Sequence, residues 1–400
     1  MLEWTSSMRN LALIALLQFS FATTWTVYVV FLPQLAAQAG IPKSFVIFIL
    51  LIDQLIFTAT DATLGVASDK IASLFGRLAN WMTVLSLASI AAFIALPHLA
   101  PLSGGAWMMV ALLVWAITSS ALRAPPMLLL AKYLPASNFP RAANVAMVGI
   151  GLAGALAPVL TVQLRGLNPV LPFALAGAGL AVTVLGLRWC ERSLAADAPP
   201  PPTVAPKPLP IGLLGAVAVL LAGLALQLHT SINSAPLYTK FAASGQLAWL
   251  MGVFWIGFTL GLIPATMLTS AKGGERTAII GAVAAILLLV ALPIAPNLAA
   301  LVSGQLLAGG AWALIFGAVL ALAREYGHTG HEGRNLGFTF ALLALAAFVR
   351  IGIIAAEWHK TDGAGAWLTW APPVAFGAAT LIVLWITSRS THRSPQTRIN

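Results

Sequence analysis

Residues 44–77 read SFVIFILLIDQLIFTATDATLGVASDKIASLFGR, and this stretch decides the fold. Its first part, 44–65, is mostly apolar and long enough to cross a bilayer as a helix. Two carboxylates, Asp53 and Asp61, interrupt that run. A charge within a bilayer is costly and is therefore typical of functional positions. The stretch predicts a membrane helix that carries functional charge and ends in a charged loop.

The composition of the whole chain extends this interpretation. Of the 400 residues, 60% are hydrophobic and only 8% are charged, whereas a soluble domain carries roughly 25% charge. So few polar groups do not cover the surface of a soluble fold of this size. We therefore predict an all-α integral membrane protein. The single cysteine, Cys190, allows no internal disulfide and no cysteine metal cluster.

Twelve apolar windows of about 20 residues predict twelve transmembrane helices in two groups of six. The first six windows are 10–35, 44–65, 79–98, 106–130, 142–164 and 170–188, and the second six are 211–235, 246–269, 277–296, 299–323, 335–358 and 367–388. The predicted domains are a six-helix bundle (1–190), a proline-rich linker (191–210), a second six-helix bundle (211–390) and a basic tail (391–400).

The Lys and Arg residues predict the orientation. Fifteen lie on the side of the amino terminus, against four on the other side, namely Lys43, Arg165, Lys240 and Lys360. This positive-inside bias places both termini and the linker in the cytoplasm of a multi-pass protein of the cell inner membrane. The net charge of +10 therefore indicates topology, and we expect no nucleic-acid partner.

The two halves resemble each other weakly. Tyr133 and Tyr326, and likewise Arg141 and Arg334, are separated by one offset of 193 residues. Matches at a common offset favour a duplicated six-helix unit. Parallel repeats of this kind build one large class of transporters.

This organisation resembles the major facilitator superfamily, and the loop after the second helix resembles its Gly-x-x-x-Asp-Arg/Lys…Gly-Arg signature. The matching residues are Gly65, Asp69, Lys70, Gly76 and Arg77. The resemblance implies that these residues latch the two halves together at the cytoplasmic side. The long gap between Lys70 and Gly76 is closer to the glycoside-pentoside-hexuronide and sucrose symporters, which also carry an acid at the position of Asp61.

Two departures from those symporters bear on the coupling ion. Sodium-coupled members place a second acid one turn before the helix-2 aspartate, where this chain has Phe57. They often place an acid before a proline on helix 4, where this chain has Arg123. We therefore predict coupling to protons rather than to sodium.

Five charged or titratable residues within helices are candidates for proton coupling or gating: Asp53, Asp61, Arg123, His229 and Arg350. Similar depths suggest two ion pairs. The first is an Asp61–Arg123 latch; the alternative is that Arg123 binds the substrate or takes part in proton coupling. The second is an Asp53–Arg350 pair between the halves, unless Arg350 instead clamps an anionic substrate. His229 is either a proton carrier or a hydrogen-bonded structural histidine.

Polar and aromatic side chains on helices 1, 4 and 7 are candidates for a pocket that takes an organic solute. They are Gln18, Thr24, Trp25, Tyr28, Ser119 and Asn233. Ordinary packing is the alternative for each. His328 and His331 lie near Glu325 and Glu332, where we expect a solvated loop and no metal site.

These observations predict a secondary active transporter that moves a small organic solute by alternating access, with a sugar, glycoside or organic anion favoured. Symport with protons is one mode of coupling. The alternative is a proton-driven antiporter that exports a drug or metabolite, and it is kept because the glycine-rich helix 5 resembles that of such antiporters. A non-transporting sensor or scaffold is the second alternative. No phosphate-binding loop or hydrolase motif occurs, so we expect neither an enzyme nor a cofactor. We also expect the protein to be a monomer in the lipid bilayer.

Overall fold

The structure is a computed structural model, and it describes residues 2–75, 78–102, 105–198, 212–327 and 330–392. Twelve of its helices are long and apolar enough to span a membrane. They are α1 (Met8–Gln38), α2 (Lys43–Ile71), α3 (Leu78–Leu99), α4 (Ala106–Tyr133), α5 (Phe139–Leu164), α6 (Val170–Ala196), α7 (Leu213–Thr239), α8 (Ser244–Lys272), α9 (Gly274–Ile294), α10 (Leu298–Gly327), α11 (Glu332–Ala355) and α12 (Gly363–Ser388). The predicted all-α membrane fold is confirmed.

The helices form two bundles, α1–α6 (the N-half) and α7–α12 (the C-half), that are built alike. In the N-half, α1 packs against α5 and α6, and α3 packs against α4 and α6. In the C-half, α7 packs against α11 and α12, and α9 packs against α10 and α12. The repeated pairing agrees with the duplicated unit that the sequence predicts.

The halves contact each other mainly through two helix pairs, α2 with α11 and α5 with α8. Odd-numbered helices begin, and even-numbered helices end, at one face of the molecule, which we call the termini face. The opposite face is called the far face. Most polar contacts between the halves lie toward the termini face.

The charged stretch after Gly65 is helical and not the loop that the sequence analysis predicts. After a short 3₁₀ turn at Lys43–Phe45, the α-helix of α2 begins at Val46 and continues past Ile71 to Phe75, so Asp69 and Lys70 lie on it. The hydrophobic window ends at 65, but the following residues include good helix formers and no proline, so the backbone hydrogen bonds continue. Gly76 and Arg77 lie outside the described residues.

The helices also run past two predicted domain limits. The sixth helix continues to Ala196, beyond the predicted start of the linker at 191. The last helix extends to His392, two residues into the predicted tail. Residues 199–211 and 393–400 lie outside the described part of the chain.

Three of the spanning helices contain a break or an irregular turn. In α4 the α-helix ends at Ser119 and resumes at Ala124, with Arg123 at the break (φ −101°, ψ −78°) before Pro125 and Pro126. In α7 a π-helical segment covers His229–Asn233. Such segments are common at functional positions. A third break, at Gly252, precedes the main part of α8.

Candidate functional site

Asp53 is held inside the N-half by Tyr28. The Tyr28 hydroxyl donates to Asp53 Oδ2 at 2.6 Å, and neither residue is exposed. Asp53 Oδ1 is buried and has no hydrogen-bond partner. A carboxylate in such an apolar place requires a proton or a cation to balance its charge.

An aromatic cluster surrounds this hydroxyl–carboxyl pair. The ring of Trp25 stacks on Trp115, with centroids 5.9 Å apart and planes 15° apart. Phe57 meets the Trp25 ring edge-on at 5.5 Å. Phe57 also packs against Ala344 of α11, so the cluster reaches the boundary between the halves.

Asp61 and Arg123 form an ion pair inside the N-half. Arg123 Nε lies 3.3 Å from Asp61 Oδ2, and the Asp61 side chain is fully buried. The Arg123 guanidinium also lies over the Phe57 ring, 5.0 Å from its centroid. This pair therefore joins α2 to α4 and does not bridge the halves.

The break in α4 explains the position of Gln18. Pro126 has no backbone N–H, so the carbonyl of Leu122 loses its helical donor. Gln18 Nε2 supplies the missing donor at 3.2 Å. Gln18 thus stabilises the helix break that places Arg123 beside Asp61.

At the termini face, α2 and α11 approach through glycines. A Cβ added at Gly65 would lie 2.5 Å from the carbonyl oxygen of Gly333 and 2.9 Å from the Cα of Gly337. A Cβ added at Gly337 would lie 2.5 Å from the carbonyl oxygen of Asp61. No side chain fits at these positions, so the two backbones are in direct contact.

Asp69 caps the first turn of α11 from the opposite half. Its Oδ1 accepts the backbone N–H of Gly333 at 2.7 Å, and its Oδ2 accepts that of Arg334 at 2.8 Å. The first N–H groups of a helix lack internal partners and carry partial positive charge. The Asp69 carboxylate therefore bonds the halves together, whereas Lys70 is exposed one residue later.

A second polar contact between the halves involves Asn144 of α5. Its Nδ2 donates to Thr266 Oγ1 of α8 at 2.9 Å. Asn144 also faces Gly317 of α10, where an added Cβ would lie 2.4 Å from Asn144 Oδ1. The amide is buried and occupies a notch in the C-half.

Arg324 of α10 makes the third polar contact. Its Nη2 donates to the carbonyl oxygens of Ala131 (3.2 Å) and Leu134 (3.0 Å) at the end of α4. The final carbonyls of a helix lack internal donors, and a cation there is favourable. We call the polar contacts of Asp69, Asn144 and Arg324, together with the glycine contact between α2 and α11, the termini-face lock.

Each half is also fastened at this face by a tyrosine–glutamate bond. The Tyr133 hydroxyl donates to Glu191 at 3.0 Å, and Glu191 also accepts the backbone N–H groups of Leu78 and Ala79. The Tyr326 hydroxyl donates to Glu275 at 2.8 Å. The tyrosines match at the offset of the repeat, but the glutamates come from different helices, α6 and α9.

His229 lies inside the C-half rather than between the halves. Its Nε2 is 2.9 Å from Gln305 Oε1 of α10, and both side chains are buried. The remaining surroundings are apolar, including Phe254, Leu289 and Trp312. The next π-helical residues point elsewhere, since Asn233 donates to the Leu368 carbonyl of α12 at 2.9 Å.

The predicted Asp53–Arg350 ion pair is not formed in this structure. Asp53 is bonded to Tyr28, and no ion pair of Arg350 occurs among the residues that the structure describes. At 100° per residue, Arg350 lies about 120° around the helix from Ala344, which faces α2. Arg350 therefore projects from a different side of α11, and its Nε is buried without an acceptor.

The remaining predicted pocket residues are mostly bonded to nearby backbone. The Thr24 hydroxyl donates to the Phe21 carbonyl at 2.6 Å, and the Ser119 hydroxyl donates to the Ala116 carbonyl at 3.1 Å. Both are buried. Trp25 remains half-buried at the boundary.

Sequence reasoning did not single out Asn144 or Glu191, and it assigned Arg324 no contact between the halves. A signal existed for the first two: Asn144 is an isolated amide within an apolar helix, and Glu191 is an acid at the end of one. Polar groups in such places usually bond to another helix. Their partners, however, are distant in sequence.

A twelve-helix membrane protein of two repeated bundles, with polar contacts concentrated at one face between them, has the architecture of a secondary transporter. A sequence model of the Major Facilitator Superfamily matches residues 14–351, and the chain belongs to this superfamily. A direct comparison with curated protein sequences gives no significant match.

Three solved structures share the fold at low sequence identity. The human organic anion transporter MFSD10 (TETRAN) has a TM-score of 0.72 and 15% identity, covering 94% of this chain and 99% of that one. A bacterial homologue of the iron transporter ferroportin, in an outward-facing state with soaked iron, has a TM-score of 0.72 and 12% identity, with coverage of 95% and 99%. FucP in the outward conformation has a TM-score of 0.65 and 13% identity, with coverage of 95% and 99%.

Proposed function

We propose that this protein is a proton-coupled secondary transporter of a small organic solute that works by alternating access. The termini-face lock carries the proposal. It consists of few hydrogen bonds and a glycine contact, so it is easily broken and remade. A lock with so few bonds suits an equilibrium between a closed and an open state of this face, whose populations a ligand shifts.

The lock supports the conformation that we propose, and the basic residues support the orientation. Closed contacts at the termini face correspond to an outward-open or occluded state if that face is cytoplasmic. The positive-inside bias of fifteen basic residues against four supports this orientation. Both termini then lie in the cytoplasm.

An organic anion is the substrate class that Arg350 favours. Its guanidinium projects from α11 without an ion pair in the described part of the chain, and its Nε is buried without an acceptor. Arginine binds carboxylates through two parallel hydrogen bonds. The similarity to the fold of an organic anion transporter agrees with this class. A sugar is the second candidate, from the resemblance of the Gly65–Arg77 signature.

Asp53 and Asp61 are the proposed proton carriers. Both carboxyl groups are fully buried. Arg123 pairs with Asp61, and the Tyr28 hydroxyl donates to Asp53. Protonation would release Arg123 from Asp61 and loosen α2 against α4. Phe57 stands where the sodium-coupled symporters place their second acid, one turn before Asp61, and this favours protons over sodium.

Flux into proteoliposomes tests the proposal. A thermal-shift screen of small carboxylates and sugars first selects a ligand, and its uptake is then measured with proton and sodium gradients imposed separately. We expect flux driven by the proton gradient alone. Arg350→Ala should abolish binding of an anionic ligand, whereas Arg165→Ala, at an exposed arginine, should leave it unchanged.

Other outcomes select the alternatives. Export of an amphipathic drug against a proton gradient identifies an antiporter, which the aromatic cluster of Trp25, Phe57 and Trp115 would suit. A ligand that stabilises the protein but is not transported under any gradient contradicts the proposal and identifies a sensor or scaffold.

A further inference from the structure

A cavity of about 600 Å³ lies within the C-half, away from the boundary between the halves. Its walls come from α7, α9, α10 and α12, and one residue of α11 reaches it. Its mouth is at the termini face, because Leu213, Glu275, Tyr326 and Thr387 lie within two residues of the ends of their spans. The volume falls in the range of small-molecule sites.

The described residues pack differently at the termini-face ends of the two halves. At the termini-face end of the N-half, Leu11, Leu78, Leu187 and Cys190 are all buried in the core. At the same end of the C-half, α7 begins with Leu213, which is 82% exposed.

The lining of the cavity is apolar inside and carries a carboxylate at the mouth. Deep positions are apolar, including Ala222, Ala282, Ile315 and Phe376. Among the described lining residues, Glu275 carries the only carboxylate. Tyr326 donates to its Oε1, and in the described part of the chain no Lys or Arg forms an ion pair with it.

We propose that this cavity binds an amphipathic amine, with the alkyl part in the apolar interior and the ammonium at Glu275. An apolar chain gains free energy by leaving water for such a lining. An ammonium bonds a carboxylate strongly at the edge of an apolar site. A fatty acid would place its own carboxylate beside Glu275, and a neutral chain would leave Glu275 without a cation. The site is separate from the proposed transport path.

A ligand in the cavity would touch the helix of the termini-face lock. Thr339 of α11 lines the cavity, and at 100° per residue it lies about 160° around the helix from Gly337. Gly337 packs against the backbone of α2. The amine would therefore contact the side of α11 opposite the contact between the halves.

Photoaffinity labelling tests the site in the full-length protein. The probe is a diazirine-bearing dodecylamine, added to protein in phosphatidylcholine nanodiscs, with dodecanol and dodecanoic acid carrying the same diazirine as matched probes. We expect the amine to label cavity segments of α9 and α10 about tenfold more than either control, as one charge-assisted hydrogen bond allows. Unlabelled dodecylamine should compete.

Variants test whether the Glu275 carboxylate and the volume of the cavity are needed for labelling. Glu275→Gln should reduce labelling by the amine to the level of the alcohol, whereas Glu325→Gln, at an exposed glutamate of the same face, should not change it. Ala282→Phe should fill the cavity and remove the labelling. Equal labelling by all three probes in the wild-type protein overturns the proposal and identifies a lipid-chain cavity. Amine labelling that persists in folded Glu275→Gln overturns it as well.

Discussion

At the scale of single residues, buried polar groups of this protein bond to partners that are far away in the sequence. Gln18 bonds to Leu122 and Asn144 to Thr266. The sequence identifies polar residues in apolar helices as costly and hence important. It does not identify the partner, because the partner depends on how two helices are rotated against each other. Gln18 was predicted to line a pocket, and the structure instead bonds it to a carbonyl freed by Pro126.

The Asp61–Arg123 pair predicts a strong asymmetry between single and double substitutions. Removing one partner of a buried ion pair costs about 3–5 kcal/mol, whereas replacing both by apolar residues is often neutral. Arg123 keeps 16% exposure, so we expect Asp61→Asn to destabilise the protein at the lower end of this range. Asp61→Leu combined with Arg123→Met should be clearly more stable than Asp61→Asn.

Apparent melting temperatures in detergent measure this difference. Glu357→Gln is the control, since it breaks the exposed Glu357–Lys360 pair and should leave the melting temperature unchanged. If the double variant is less stable than Asp61→Asn, the pair does not act as the structure indicates.

The contact of Gly65 with α11 predicts that even one methyl group disrupts the lock. A Cβ at Gly65 would meet the Gly333 carbonyl at 2.5 Å, and overpacking of this kind costs about 1–3 kcal/mol. Gly179 of α6 has no atom within 4 Å of an added Cβ. Gly179→Ala should therefore be neutral or slightly stabilising, by up to about 1 kcal/mol. Gly65→Ala should lower the melting temperature, and equal melting temperatures for Gly65→Ala and Gly179→Ala would contradict the close backbone contact.

At the scale of elements, hydropathy predicts the twelve helices but not their irregular ends and breaks. The charged end of α2 was predicted as a loop, because the apolar window ends at 65 although the helix continues to Phe75. Pro125 and Pro126 lie at the break in α4, where the missing N–H of Pro126 interrupts the backbone hydrogen bonds. The π-helical segment of α7 was not predicted, since no residue type requires one.

The break in α4 predicts an energetic coupling between Gln18 and Pro126. Pro126→Ala restores an N–H that can bond the Leu122 carbonyl and compete with Gln18. Gln18→Leu should then destabilise the wild-type protein more than it destabilises Pro126→Ala. Coupling energies between contacting residues are about 0.5–3 kcal/mol. Melting temperatures of the four proteins in this cycle measure the coupling, and strictly additive effects would show that Gln18 does not serve the break.

At the scale of the whole molecule, the sequence predicts two bundles and the end of helix 2 at which latch residues lie. The repeat offset and the Gly65–Asp69 signature were both readable in one sequence. The second and third polar contacts of the lock were not, because Asn144 and Arg324 belong to no signature and their partners lie in the opposite half, far away in the sequence. The sequence also does not show that the Asp53–Arg350 pair is unformed in this structure, because matched depth does not fix rotation about the helix axis.

The lock predicts that joining the halves at Asn144 stops transport. In a Cys190→Ser background without other cysteines, Asn144→Cys and Thr266→Cys place two thiols where the native side chains lie 2.9 Å apart. Oxidation should join α5 to α8 and abolish flux, and reduction should restore it, because alternating access requires the termini face to open. Asn10→Cys with Ser193→Cys is the matched control, since that pair is also 2.9 Å apart but joins α1 to α6 within one half. The control disulfide should leave flux intact, and flux that survives the Asn144–Thr266 disulfide would rule out opening at this face.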